Sequence, residues 1–188
     1  TILSAQFDMG QSAYHGTATL VAEELDFDWS KLRIEGAFGP PELYGNLAQG
    51  GAFQLTGGSS GMSSSFTRYR QAGALAREML IAAAAKAWNI PASEIRIEKG
   101  MLVAKDKLES IGAFAEAAAG MPVPETVTLK PASDWKLIGN ETLRTYDGAR
   151  KVTGQAQFTI DVKLDGMLTA VPVHPPMFGA TVKSFDAS

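Results

Sequence analysis

The sequence predicts an α+β fold, helices packed on mixed sheets, and three observations carry that expectation. Ala18, Val21, Ala22 and Leu25 recur at the spacing of one helix face, which places a helix over Ala13 to Leu25. After Met62 nothing interrupts helical geometry before Pro91, so a second, much longer helix follows. Finally, Asp28 to Gly36 and Pro91 to Gly100 resemble one another, each follows a helix, and each alternates apolar residues at period two: Leu32 and Ile34, then Ile95 and Ile97.

Taken in order, Thr1 to Phe7 alternates weakly and reads as a strand ending in a turn over Asp8 to Ser12. Glu23 and Glu24 are adjacent on the first helix and point in different directions, so they form no carboxylate pair and are expected on a solvated face. Leu32 to Ala37 is a short strand. The long stretch from Phe38 to Gly61, with Pro40 and Pro41, is expected to be an ordered binding loop pinned by Tyr44, Leu47, Phe53 and Leu55. Along the long helix Ala72, Ala76, Met79, Leu80, Ala83 and Ala87 make a small-residue stripe, and Gly73 implies close approach by a neighbour. Glu98 to Met101 turns a hairpin into Leu102 to Ala104. Ser110 caps a helix over Ile111 to Ala119, closed by Gly120 and Pro122. Pro122, Pro124 and Pro131 punctuate an extended connector, and from Gln155 the pattern changes to strands: Gln155 to Val162, Met167 to Val173 and Ala180 to Phe185.

Composition narrows the function. A net charge of -3 leaves no basic footprint for nucleic acid. No apolar run approaches the roughly 20 residues of a membrane span; the best, Met79 to Ala87, is short and contains Lys86. With no cysteine, thiolate metal sites, iron–sulfur ligation and disulfides are excluded within the chain, and two distant histidines, His15 and His174, make a histidine metal site a poor expectation. Thr1 to Ala5 reads as the middle of a strand, so a larger protein is expected, and the compartment stays open.

The motif with chemical content is Thr56, Gly57, Gly58, Ser59 and Ser60, a run of small residues and hydroxyls feeding the long helix. The first amides of a helix have no internal partner and carry the positive end of its dipole, so such a junction suits an anion, with Arg68 and Arg70 available to add charge. The same composition also suits a plain flexible loop. His15 is read as a hydrogen-bonding residue at a helix end, His174 as part of a proline-rich bend, and Trp29, Trp88 and Trp135 as packing anchors.

Met9-Gly10-Gln11, Leu20 to Leu25, Thr56 to Ser60 and Arg70 to Leu80 together resemble the molybdopterin-binding large subunit of molybdenum hydroxylases, in the isoquinoline 1-oxidoreductase and aldehyde dehydrogenase branch of the xanthine dehydrogenase family. Ile138-Gly139, Arg144, Asp147, Lys151 to Gly154, Phe158, Asp161-Val162 and Leu164 to Ala170 resemble the entry into that family's hammerhead domain. The resemblance implies a molybdenum–pterin dinucleotide, with the cytosine form expected, used to hydroxylate an aldehyde or N-heterocycle with oxygen from water. It implies Gly10, Gln11, Thr56, Gly57, Gly58, Ser59 and Ser60 as cofactor contacts, and an iron–sulfur electron-transfer subunit and the remainder of the large subunit as partners. Residues 1–120 would then be part of the cofactor lobe, 121–150 a connector and 151–188 the start of a hammerhead-like, β-rich domain.

Two departures stand out. Ser12 follows Gln11 where the family usually has glycine, and His15 stands where it usually has threonine. The family's catalytic glutamate lies in a Gly-x-Gly-Glu motif that these 188 residues do not contain, so no catalytic residue and no metal ligand is assigned. The alternative is a non-catalytic interaction module on the same scaffold, which an exposed apolar patch along Phe158 to Val171 would favour.

Overall fold

The computed structural model describes residues 1–186 and divides into two units, Thr1–Ala156 and a smaller one from Gln157. In the first unit β1 (Ile2–Ser4) and β2 (Ile34–Gly36) pair in parallel, Ile2 opposite Ile34. Parallel pairing needs a crossover, and α1 (Ala13–Leu25) supplies it. Then come α2 (Pro41–Tyr44) and α3 (Gly61–Trp88), followed by an antiparallel meander of β3 (Arg96–Glu98), β4 (Met101–Ala104) and β5 (Lys107–Ser110). Two short helices complete the unit, α4 (Ala115–Ala119) and α5 (Gly148–Val152).

The mixed helix and sheet content agrees with the α+β expectation, and the two similar stretches fold alike. Each makes one 3-10 turn, Trp29–Lys31 or Ala92–Glu94, and then a strand. Leu32, Ile34, Ile95 and Ile97 are all buried, as period two requires. They serve different sheets, however, with β2 beside β1 and β3 beside β4. Lys99 and Gly100, both at positive φ, turn the first hairpin, and Ser110 caps the following turn by accepting the Gly112 N–H. The sequence reading missed β5, whose four residues are all exposed and so show no apolar alternation.

Packing centres on two helices. Gly16 of α1 lies against Met62 of α3, and Val21 and Glu24 lie against Gly73. Positions rise together on both, so α1 and α3 run parallel with their N-termini at the same end. Gly73 is the predicted close approach: a Cβ there would meet the Val21 carbonyl oxygen at 2.7 Å. The stripe itself is shifted, for Ala72 and Ala87 are exposed while Tyr69, Gly73, Ala74, Leu80, Ala83 and Ala84 are buried. A helix this alanine-rich offers several equivalent small faces, and periodicity alone does not choose among them. Leu80, Ala83 and Ala84 form the main core with Ile95, Ile97, Leu102, Ala104, Phe114 and Ala118. Trp88 stands edge-on to Phe114 at 5.4 Å, the anchoring role expected of it.

Glu23 and Glu24 overturn their expectation, being 1% and 0% exposed. Glu24 is held by Arg70 at 2.7 Å and Arg77 at 3.2 Å, and Glu23 accepts the backbone N–H groups of Lys136, Leu137 and Ile138 at 2.6–3.0 Å. Lys130 adds its own amide to Glu24 and its ammonium to the Glu23 carbonyl. Lys130 and residues 136–138 are thus fastened to α1 through these carboxylates. Buried charges are tolerated only when paired in this way.

In the second unit the expected strands over Gln155 to Val162, Met167 to Val173 and Ala180 to Phe185 are absent among the described residues, where a 3-10 turn at Thr159–Asp161 is the regular element. Ile160, Leu168, Val173 and Phe185 are at least 84% exposed there. Alternating apolar residues become a strand only against a partner strand and a core, and none is present for them among the described residues. The last two residues of the expected hammerhead-like segment lie outside the described ones.

Candidate functional site

Two loops meet at the common end of α1 and α3. Met9, Gln11, Ser12 and Ala13 face Thr56, Gly57, Ser59, Ser60, Gly61 and Met62 across a cleft of about 360 Å³. Of the seven predicted contacts, Gln11, Thr56, Gly57, Ser59 and Ser60 line it; Gly10 and Gly58 belong to the two loops without lining the cleft.

Their chemistry differs. Thr56 Oγ1 accepts the Phe7 N–H at 2.8 Å, which ties one loop to the other. Ser60 donates its hydroxyl to the Gly57 carbonyl at 2.7 Å and accepts from Asn46 Nδ2 at 2.7 Å. Both are therefore committed to the scaffold. Gln11 closes its own loop, accepting the Met9 N–H at 2.6 Å and donating to the Phe7 carbonyl at 2.9 Å. Ser59 is exposed at φ 55, beside Gly58 at φ 60, and offers a free hydroxyl to the cleft.

The end of α3 is open. Ser60 stands at the N-cap without capping, and no acidic side chain sits in the first turn. The leading amides of a helix of 28 residues therefore point toward the cleft with the positive end of its dipole. Neither arginine contributes, contrary to expectation: Arg68 donates to the Gly45 carbonyl and Arg70 is sequestered by Glu24. Among the described residues, no arginine or lysine lines the cleft.

The end of α1 is different, because Asp8 closes it. Its carboxylate accepts the Gly10 N–H at 2.8 Å and the Tyr14 N–H at 3.2 Å, and Lys151 pairs with it at 3.1 Å. Burial pushes the Asp8 pKa up, but the two amides and the ammonium outweigh it and hold the carboxyl below its ordinary value. His15, next to this turn, accepts the Tyr146 N–H on Nδ1 at 3.1 Å and meets Trp29 edge-on. Burial lowers its pKa, Asp147 opposes this and Lys151 adds to it, which favours the neutral acceptor form. This is the hydrogen-bonding role expected of His15.

Sequence reasoning missed Asp8 and Asn46. Asn46 is 0% exposed and holds Leu55, Ser60 and Ala48, while Gln54 bridges the carbonyls of Ala5 and Ala37. These amides order the loop; Leu47 and Phe53, expected to pin it, are 52% and 51% exposed. Asp-x-Gly at Asp8 and Gly-Asn at Asn46 were the available signals, since both side chains favour turns by bonding the backbone just downstream.

The family model of the molybdopterin cofactor-binding domain matches residues 1–173. The chain belongs to that family. It is 29% identical over 221 aligned positions to the beta chain of isoquinoline 1-oxidoreductase from Brevundimonas diminuta, covering 98% of this chain and 28% of the relative. It is 31% identical over 194 positions to a membrane-bound aldehyde dehydrogenase (pyrroloquinoline-quinone) of Gluconacetobacter polyoxogenes, with 99% and 24% covered. A nicotinate dehydrogenase subunit of Pseudomonas putida is 30% identical over 176 positions, with 92% and 14% covered. The chain thus spans 14–28% of the length of these relatives. Among the described residues, no helix is long and apolar enough to cross a membrane, and no three metal-ligating side chains gather to hold an ion.

For a molybdopterin cofactor-binding domain the cleft has fitting chemistry: a free hydroxyl, open helix amides and no competing carboxylate in the α3 first turn. Its departure at Ser12 also acquires a physical meaning. Ser12 sits at φ 66, the left-handed region that costs an L-residue about 1 kcal/mol and glycine far less. Ser12→Gly is expected to raise stability by up to about 1 kcal/mol and the melting temperature by a few degrees. A calorimetric scan showing a lower melting temperature would count against it.

Proposed function

We propose that this chain forms one wall of the molybdenum–pterin dinucleotide site in the large subunit of a molybdenum hydroxylase. The observation that carries the reading is the meeting of Gln11 with Thr56 to Met62 at the open end of α3, inside a chain matched by the molybdopterin-binding family over residues 1–173. The amides of Gly61 and Met62 and the Ser59 hydroxyl suit the dinucleotide phosphates. The Gln11 amide, which both donates and accepts, suits a pterin edge once it exchanges a loop bond for a ligand bond. Thr56, Gly57, Gly58, Ser60 and Gly10 shape the two loops and let them approach.

The cofactor supplies the chemistry of hydroxylation, with oxygen from water, on an aldehyde or N-heterocyclic substrate; the cytosine dinucleotide is the form proposed. This chain's own residues bind and orient. The general base is proposed to come from the remainder of the large subunit, and electrons to leave through an iron–sulfur subunit.

Metal and mass analysis of the native protein is the test. Molybdenum and a pterin dinucleotide are expected near one per chain, and Gln11→Ala or Ser59→Ala should lower that loading while leaving the melting temperature within a few degrees. Full loading in both variants would overturn the residue assignments, and a native protein with neither molybdenum nor pterin would overturn the reading. A second reading, the non-catalytic interaction module, is favoured by the exposed Ile160, Leu164, Leu168 and Val171 of the second unit, each at least 68% exposed. That last outcome would select it.

A further inference from the structure

We infer that Lys151, far from the cleft in sequence, is a positioning residue for the Gln11 loop. It holds Asp8 in its clasp on that loop and, shared with Asp147, offsets part of the negative charge that Asp8 would otherwise present beside an anionic ligand. The inference rests on the reading of the cleft as a phosphate-bearing cofactor seat.

Asp8 is the hub of the loop. Its two oxygens hold the amides of Gly10 and Tyr14, on either side of Gln11, and its side chain is only 5% exposed. A carboxylate in that position does two opposed things. It orders the loop and closes the end of α1, yet it sits one residue from Met9, which lines the cleft. Like charge so close weakens an anion, and a buried carboxylate is poorly screened.

Lys151 resolves the conflict. Its ammonium lies 3.1 Å from Asp8 Oδ1 and 2.9 Å from Asp147 Oδ2, with the lysine side chain 18% exposed. Asp147 sits one turn earlier, at the N-cap of α5, and fixes the lysine from below. Five residues before Lys151, the Tyr146 amide bonds His15 on α1 at 3.1 Å, so the same segment is fastened to the loop's helix at a second point. An exposed ion pair held at one point is worth little, but this one is shielded and doubly anchored.

The test compares the full-length protein, freed of bound cofactor, with Lys151→Met, Lys151→Arg and the double variant Asp8→Asn with Lys151→Met, each prepared in the same way. Two quantities are measured: hydrogen exchange at the Gly10 and Tyr14 amides, and affinity for inorganic pyrophosphate by calorimetry. Lys151→Met should speed exchange at both amides about tenfold, the loss of one charge-assisted hydrogen bond. It should also weaken pyrophosphate about two- to fivefold, the size of a charge effect at a helix end. Lys151→Arg should retain both properties. The double variant should recover pyrophosphate affinity, its carboxylate being gone, but not the slow exchange.

Unchanged exchange in Lys151→Met would overturn the clasp, and a double variant as weak for pyrophosphate as Lys151→Met would overturn the charge offset. If wild-type protein binds no pyrophosphate, the cofactor reading and the charge offset fall together, while the exchange measurement still decides the clasp.

Discussion

Glu24→Gln should destabilise the first unit by about 3–5 kcal/mol, the range found when one partner of a buried ion pair is removed. Glu24 is 0% exposed and its two oxygens hold four donors: Arg70 through Nε and a terminal nitrogen, Arg77, and the Lys130 amide. A glutamine offers one acceptor oxygen and turns an NH2 toward donors on the other side. Two guanidinium groups, 10% and 16% exposed, would then keep their charge with no counterion. Since whole domains are stable by only about 5–15 kcal/mol, such a loss threatens folding outright. Denaturant titration of wild type and variant measures it, and a loss below about 1 kcal/mol would refute the clamp. Glu23→Gln is the internal comparison. All three backbone amides there converge on Oε2, while Oε1 makes no hydrogen bond and meets only the Lys130 ammonium, at 3.8 Å, so an amide can keep the productive oxygen at the cost of one longer ion pair and the loss should be smaller.

Gly73→Ala sets two effects of opposite sign against each other. Alanine improves the helix by about 1 kcal/mol. The new methyl, however, would stand 2.7 Å from the Val21 carbonyl oxygen, 3.0 Å from Glu24 Cβ and 3.2 Å from Val21 Cα. Two of these are backbone atoms, so a rotamer change cannot relieve the overlap and the helices must separate. Overpacking of this kind costs about 1–3 kcal/mol, and here it also strains the Glu24 contacts on the next turn. The net expectation is destabilisation of up to about 2 kcal/mol, larger for Gly73→Val. A melting temperature at or above wild type in Gly73→Ala would show that the helices can part without penalty.

The legible features of this chain were those with local causes. Helix periodicity placed α1, the absence of breakers placed α3, and the paired Leu32/Ile34 and Ile95/Ile97 patterns placed two strands. The two cleft-lining loops were also legible, because small residues before a long helix and a turn before another leave a sequence trace, and resemblance connected them. What stayed hidden depends on partners distant in sequence. Nothing near Glu23 or Glu24 announces that Arg70, Arg77, Lys130 and residues 136–138 will close over them. Arg70 was misread for the same reason: a guanidinium close to a glycine loop in sequence was drawn away by a carboxylate across the helix pair. The expected strands after Gln155 failed conversely, since their local pattern is real but no partner strand receives it.

The carboxylate clamp also orders events in time. Glu23 and Glu24 meet Lys130 and Lys136 across 106 to 113 residues of chain, so their contacts close one of the longest loops in the unit. Non-local closures of this kind slow folding, because the ends must meet before any interaction repays the lost entropy. On a ribosome the delay is set by synthesis: α1 and α3 are complete when Trp88 emerges, but the amides that satisfy Glu23 arrive about 50 residues later, several seconds at ordinary elongation rates. Until then Glu24 has its two arginines, but the Glu23 carboxylate lies open to water without the amides that later hold it.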